Sequence, residues 1–219
     1  MIDFALQRKN MVESQVRPSD VTDRRIVRAM LEVPREAFVP AAYKSVAYMD
    51  EAVRVDETGR RAMMAPRTLA KLLQLAAFEP SDVVLTIGCA NGYASAIIAK
   101  VAQTVVALES DAELAAAAQR TLGALSADNV VVVTGPLAEG YAAEGPYDAI
   151  VIEGAVGEPP RALLDQLKDG GRLVTVVNQG PVGKATLWRR LGESFDSRAA
   201  FDASAPALPG FERPHVFAL

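Results

Sequence analysis

Two hydrophobic rhythms divide the chain. Over residues 1 to about 80 the apolar positions fall at helical steps. Val21, Ile26, Val27, Met30 and Leu31 recur three and four residues apart, as one buried helix face requires. Asp20 or Thr22 is placed to cap this helix, and Pro34 and Pro40 end it and shape the loop beyond. A second helix is expected from Pro66, at its first turn, through Leu69, Leu72, Leu73 and Leu75. From about residue 82 short apolar runs alternate with helical stretches. The runs are 83–87, 104–108, 130–134, 147–152 and 172–177, with helices expected over 92–101, 111–124 and 159–168. Strands apolar on both faces and separated by helices predict a mostly parallel, doubly wound α/β sheet. Residues 185–191 and 198–205 read as two successive strands, an antiparallel pair at the sheet edge, and 203–214 as a loop rich in Ala and Pro. The expected organisation is an N-terminal helical extension over 1–80 packed on an α/β domain over 81–219.

Composition narrows the function classes. The 219 residues are 50% apolar and 23% charged, enough for one full core. A net charge of −4 and the lack of any Lys/Arg run argue against a nucleic-acid or membrane-surface partner. No run approaches the roughly 18 apolar residues of a membrane span. The opening Met1-Ile2-Asp3-Phe4 carries no basic segment followed by an apolar run, so a cytoplasmic location is expected. The only cysteine is Cys89 and the only histidine His215, so an intramolecular disulfide and a multi-cysteine zinc site are excluded. No metal site is expected, and His215 reads as structural or surface, with nothing nearby to make it a catalytic base.

The best-placed candidate chemistry follows the first apolar strand, in Thr86-Ile87-Gly88-Cys89-Ala90-Asn91-Gly92-Tyr93. Gly88 and Gly92 sit where the backbone must turn from strand to helix and approach a ligand without a Cβ in the way. In an open α/β sheet this is the crevice that binds nucleotide-like ligands. The plainer reading is a tight turn with no ligand. Glu109 ends the next strand, 21 residues after Gly88, where a carboxylate can accept both hydroxyls of a ribose diol. Its plainer reading is a solvated strand-end carboxylate. Spacing alone fits NAD or S-adenosylmethionine, although one glycine pair offers a pyrophosphate little cradle. Cys89, at a helix N-terminus, is either a thiol of lowered pKa or a buried filler, the latter favoured.

Two further stretches bring in a family. Leu163 to Val174 resembles the "LL-x-QL-K-x-GGRLV" signature of the protein-L-isoaspartate O-methyltransferases, and Tyr147 to Ile152 their "FD-x-I-x-V" strand. Asp128-Asn129-Val130 is similar to the turn before their third strand. Met11 to Arg17 resembles "MV-x-x-Q-L-R", Asp23 to Pro40 resembles "D-x-RVL-x-AM-x-x-VPR-x-x-FVP", and Ala47-Tyr48-Met49-Asp50 resembles "AY-x-D". The resemblance covers roughly residues 10–180, including an N-terminal module that ordinary methyltransferases lack.

The resemblance implies a Rossmann-like S-adenosylmethionine-dependent methyltransferase fold. It also implies a protein-repair reaction, methyl transfer from S-adenosylmethionine to the α-carboxyl of an L-isoaspartyl residue in damaged protein. An isoaspartyl-containing protein or peptide would be the partner. It places the turn at Gly88, Cys89 and Gly92 against the methionine part of the cofactor and Glu109 against its ribose, with Ala90 and Asn91 of the same turn also cofactor-binding. Gly135 and Leu137 would lie near the adenine. The chain departs from the family at several of these places. Pro136 stands where the family has an aspartate, and Thr86 where it has an acid at the end of the first strand. The family's "G-Q-T-I-S-Q-P" becomes Arg60-Arg61-Ala62-Met63-Met64-Ala65-Pro66, so Ala62 and Met64 replace two hydroxyls that face the substrate carboxylate. Met63 and Met64 read as apolar filler for at least one of the pair. Arg60 and Arg61 read as a solvated loop edge or, less favoured, as contacts to an anionic substrate. The alternatives are a catalytically divergent, cofactor-binding regulatory module or a methyltransferase for another small-molecule or carboxylate substrate. A nicotinamide-dependent oxidoreductase comes last.

Overall fold

The structure is a computed structural model and describes residues 2–56, 59, 61–178 and 182–211. His215 and Arg60 lie outside the described residues. Helix α1 (Phe4–Met11) is capped by Asp3, whose Oδ1 accepts the Leu6 N–H at 2.9 Å. It runs on through a π-helical turn, Val12–Val16, and a short 3-10 turn, Arg17–Ser19. Helix α2 (Arg24–Glu32) is capped by Asp23 rather than by Asp20 or Thr22. Asp20 takes a left-handed turn (φ 63°), the N–H groups of Thr22 and Asp23 both donate to Gln74 Oε1, and the Asp23 Oδ1 accepts the Arg25 N–H at 2.8 Å. Ile26, Val27, Ala29 and Met30 form the buried face of α2.

A two-stranded hairpin follows, β1 (Val53–Arg54) and β2 (Ala62–Met63), then α3 (Pro66–Ala76) with Pro66 in its first turn. The α/β alternation is β3 (Val83–Ile87), α4 (Tyr93–Ile98), β4 (Thr104–Glu109), α5 (Ala112–Ala124) and β5 (Val130–Thr134). It continues with β6 (Tyr147–Val156), α6 (Arg161–Leu164), β7 (Leu167–Val177), β8 (Lys184–Leu191) and β9 (Ser194–Asp202). The seven-stranded sheet runs β5-β4-β3-β6-β7-β8-β9, parallel from β5 to β7 and antiparallel over β8 and β9. The helix expected over 159–168 is only α6. Leu167 instead pairs with Tyr147, so the chain is already strand where the helix was expected to continue. The edge strand expected at 198–205 begins earlier, because Gly192 (φ +63°) turns β8 straight into β9.

Side chains alternate between the two faces of the sheet. Val84, Val105 and Ala107 enter the core shared with α2, α3 and the N-terminal turns, whereas Leu85, Val106 and Leu108 enter the core shared with α6. Arg172 joins the base of the sheet to α3. Its guanidinium donates to the carbonyls of Ala76 (2.6 Å), Ala77 (2.9 Å) and Asp148 (3.0 Å) and pairs with Asp82. The sequence order reverses between β3 and β6, and the carboxyl ends of these strands open the crevice of a doubly wound sheet.

Candidate functional site

Three positive-φ residues in five make the turn at the end of β3: Gly88 (+75°), Ala90 (+49°) and Gly92 (+90°). Gly88 and Cys89 N–H groups both donate to the Leu108 carbonyl, at 2.9 and 3.1 Å, which folds the turn across the end of β4. Asn91 Nδ2 holds the turn to the N-terminal layer through the Phe38 carbonyl at 2.9 Å. The five turn residues and Glu109 are therefore brought together as the sequence implied. Thr86 is buried and hydrogen-bonded to Ser95 Oγ at 2.8 Å, so this position ties β3 to α4. Gly135 donates its N–H to the Glu109 carbonyl at 3.1 Å, and Leu137 is buried with Leu108 in the core of the second face.

Glu109 is not a solvated strand-end carboxylate. It is 0% exposed, and its oxygens are surrounded by donors. Oε2 accepts from the Ala90 N–H at 2.8 Å and from Arg61 Nη2 at 2.7 Å. Oε1 accepts from the Ser110 and Asp111 N–H groups at 2.8 and 3.0 Å and from Arg61 Nη1. Arg61 also donates from Nη2 to the Gly88 carbonyl at 3.0 Å. The arginine expected at a solvated loop edge is thus 6% exposed and inserted into the crevice, because the hairpin carrying it folds over the ends of β3 and β4. With its fork spent on Glu109, Arg61 is not free to contact an anionic substrate.

Met63 and Met64 are both buried, and the Met64 carbonyl accepts from Arg35 Nη2 at 2.8 Å. Among the described residues lining this cavity, the hydroxyl is that of Tyr93 rather than one at position 62 or 64. Cys89 is a buried filler: burial, followed by the nearby Glu153 and Glu109 charges, pushes its thiol well above the usual range. Glu153, which the sequence pattern did not single out, lies on β6 within the shift of register between Val151 and Ala155. It lines the same small cavity as Met63, Met64, Gly88 and Cys89, with Oε1 buried and unpartnered among the described residues. Burial first, and then the Glu109 charge, push its carboxyl up to about 8. The available signal was a carboxylate directly following the buried run Ile150-Val151-Ile152.

The donor set matches what a ribose-bearing cofactor needs, a glycine turn beside a diol-accepting carboxylate. The space does not. The cavity left between the turn, the methionines and Glu153 is about 10 Å³, whereas pockets for ligands of this size run to roughly 300–1,000 Å³. With Arg61 where it stands, both Glu109 oxygens are taken and are not open to a ribose diol.

A parallel sheet with an antiparallel edge, its glycine turn and Glu109 at the switch point, defines the class as a Rossmann-like methyltransferase. The family model for protein-L-isoaspartate(D-aspartate) O-methyltransferase matches residues 6–198. A protein-L-isoaspartate O-methyltransferase of Koribacter versatilis (strain Ellin345) is 38% identical over 184 residues, 84% of this chain and 80% of that protein. One of Methanoculleus marisnigri is 37% identical over 171 residues, 78% of this chain and 77% of that protein. A solved protein-L-isoaspartate O-methyltransferase superposes with a TM-score of 0.82 at 25% identity, covering 93% of this chain and 67% of that one. A Plasmodium falciparum structure of the same description, in complex with S-adenosyl-L-homocysteine, shares the fold. Its TM-score is 0.78 at 19% identity, over 96% of this chain and all of that one. The chain belongs to the protein-L-isoaspartate(D-aspartate) O-methyltransferase family, whose members are S-adenosylmethionine-dependent protein carboxyl methyltransferases.

Proposed function

We propose that this chain is a protein carboxyl O-methyltransferase that uses S-adenosylmethionine and takes as its acceptor the α-carboxyl of L-isoaspartyl residues in damaged protein. One observation carries the reading. The Gly88–Gly92 turn and the Glu109 carboxylate meet at the switch point of a chain that matches the family from residue 6 to residue 198. A carboxylate acceptor is already nucleophilic, so the reaction needs positioning rather than a general base. The acid–base inventory agrees. Among the described residues, the ionisable groups lining the cavity and the adjoining ion pair are Arg61, Cys89, Tyr93, Glu109 and Glu153, with no histidine or lysine. The cytoplasm is the compartment proposed. No described helix is long and apolar enough to cross a membrane.

A second reading is favoured by a specific observation. Met64 and Ala62 carry no hydroxyl and the crevice is filled, which suits a cofactor-sensing regulatory module or a methyltransferase with a different acceptor. Labelled methyl transfer to an isoaspartyl peptide, with the matching aspartyl peptide as control, separates these. Incorporation into the isoaspartyl peptide alone is the expected result. Folded protein that labels neither peptide would remove the repair reading and leave the second.

A further inference from the structure

The misfit between crevice and cofactor has a local cause, because two side chains of this chain fill the space. On one side, the Arg61 fork takes both oxygens of Glu109 and the Gly88 carbonyl. On the other, a strap formed by residues 203–208 crosses the mouth. The Ala155 N–H donates to the Pro206 carbonyl at 2.7 Å and the Leu208 N–H to the Ala155 carbonyl at 3.0 Å, with Ala207 bridged to Ala155. This seats Leu208, 5% exposed, on the two glycines that floor the crevice. A Cβ on Gly88 would lie 2.6 Å from Leu208 Cδ1, and one on Gly154 would lie 3.0 Å from Leu208 Cβ. The backbone has been left bare at both positions, and the chain's own leucine occupies the room.

The outer side of the strap is open. Ala203, Ser204, Ala205 and Pro206 line a cleft of about 690 Å³, which is also lined by Arg67 and Lys71 of α3. The strap is therefore a thin partition with free volume behind it. It is held at the crevice by the two backbone hydrogen bonds and by Leu208, and at its start by the Ala203 N–H on the Gly183 carbonyl at 2.9 Å. The hairpin bearing Arg61 is equally slight, two residues a side.

We propose that the cofactor crevice is self-occupied, with Arg61 standing in for the ligand's hydrogen-bond donors at Glu109 and Leu208 sealing the glycine turn. A ligand of the crevice must therefore displace both. This rests on the methyltransferase reading for the identity of the ligand, not for the closure. Its thermodynamic consequence is that apparent affinity is lowered by the fraction of molecules that are open. Weakening either plug raises that fraction. A substitution that removes a ligand contact would instead lower affinity, so the sign of the effect decides.

The test is calorimetric titration of the full chain with S-adenosylhomocysteine, for the wild type, Leu208→Ala and Arg61→Gln. Self-occupation predicts roughly ten-fold or greater tightening in Leu208→Ala. It also predicts faster hydrogen exchange at the Ala155 and Leu208 amides of the wild type when the ligand is added. Arg61→Gln retains a donor but loses the fork, and should tighten binding as well. If it misfolds, Leu208→Ala and the exchange measurement still decide. Unchanged or weaker binding in Leu208→Ala, no binding by any variant, or slower exchange at both amides with ligand would each overturn the proposal. The peptide-labelling assay on the wild type judges the methyltransferase reading separately, so the two failures are distinguishable.

Discussion

Glu109 shows what a fully buried carboxylate requires. Backbone N–H groups from two turns and the Arg61 fork supply donors to both of its oxygens. Deleting the carboxylate leaves the guanidinium 6% exposed and without its partner. Glu109→Ala should therefore cost about 3–5 kcal/mol of stability, read from urea denaturation. A cost below about 1 kcal/mol would mean that Arg61 swings to solvent in the variant. Glu153 is the opposite case, a carboxyl with one oxygen buried and unpartnered. An acid whose folded-state pKa is raised from 4.5 to about 8 is protonated in the native state where the unfolded chain has already ionised. Its contribution is fully present below about pH 4.5 and is lost as pH rises through about 8. Relative to Glu153→Gln, which never ionises, the wild type should lose a few kcal/mol between pH 5 and pH 9, because each tenfold difference in proton affinity between the folded and unfolded chain is worth about 1.4 kcal/mol. Denaturation of both proteins at pH 5, 7 and 9 measures this. A constant difference would show that water reaches the carboxylate.

At the scale of single elements, the inner strands β3 and β4 were legible because burial on both faces leaves continuous apolar runs. The run 83–87 coincides with β3, and 130–134 with β5, an edge strand that is apolar in sequence although none of its residues is fully buried. The helix at 159–168 was over-read, because the Leu163-Leu164-Leu167 spacing is helical while Leu167 answers to Tyr147 across the sheet. The cap of α2 was misplaced for a related reason. Asp20, Thr22 and Asp23 are all competent caps, and only the long-range bonds from the backbone N–H groups of Thr22 and Asp23 to Gln74 select Asp23. Helix α5 gives the clearest capping test. Asp111 Oδ1 accepts from the N–H groups of Glu113 at 2.8 Å and Leu114 at 3.0 Å. Asp111→Ala should cost about 1 kcal/mol, while keeping the backbone N–H that supports Glu109. A change in urea midpoint at constant slope is the measurement. A changed slope would mean that the substitution alters more than the cap.

At the scale of the molecule, the turn and its carboxylate were legible because they lie within one strand-to-strand unit. Arg61 was not, since it reaches Glu109 across 48 residues and no local pattern reports such a pairing. The same holds for Arg35, which is 0% exposed and, among the described residues, donates to carbonyls rather than to a carboxylate. Its Nε donates to the Ala47 carbonyl at 2.7 Å and its Nη2 to the Met64 carbonyl at 2.8 Å. Its guanidinium lies 4.7 Å from the centre of the Tyr93 ring on α4. Burial holds the guanidinium below the usual arginine range, and the two carbonyls and the ring supply the compensating contacts. One side chain thus joins the N-terminal turns, the segment leading into α3 and the first helix of the α/β core. A single hydrophobic cluster runs through the same region, from Met11 and Met30 to Val105 and Val174. Two layers that share a core and a buried cation should unfold together, so thermal unfolding should be one transition. Trp188 fluorescence on β8 and far-ultraviolet dichroism would then report the same midpoint. Arg35→Ala leaves two carbonyls without their donor and a gap over Tyr93, and should cost about 3–5 kcal/mol. Because the damage is shared, both signals should shift by the same amount. If only the dichroism moved while Trp188 kept its midpoint, the N-terminal layer would be a separate folding unit resting on the sheet. The hairpin bearing Arg61 would then open with that layer rather than alone.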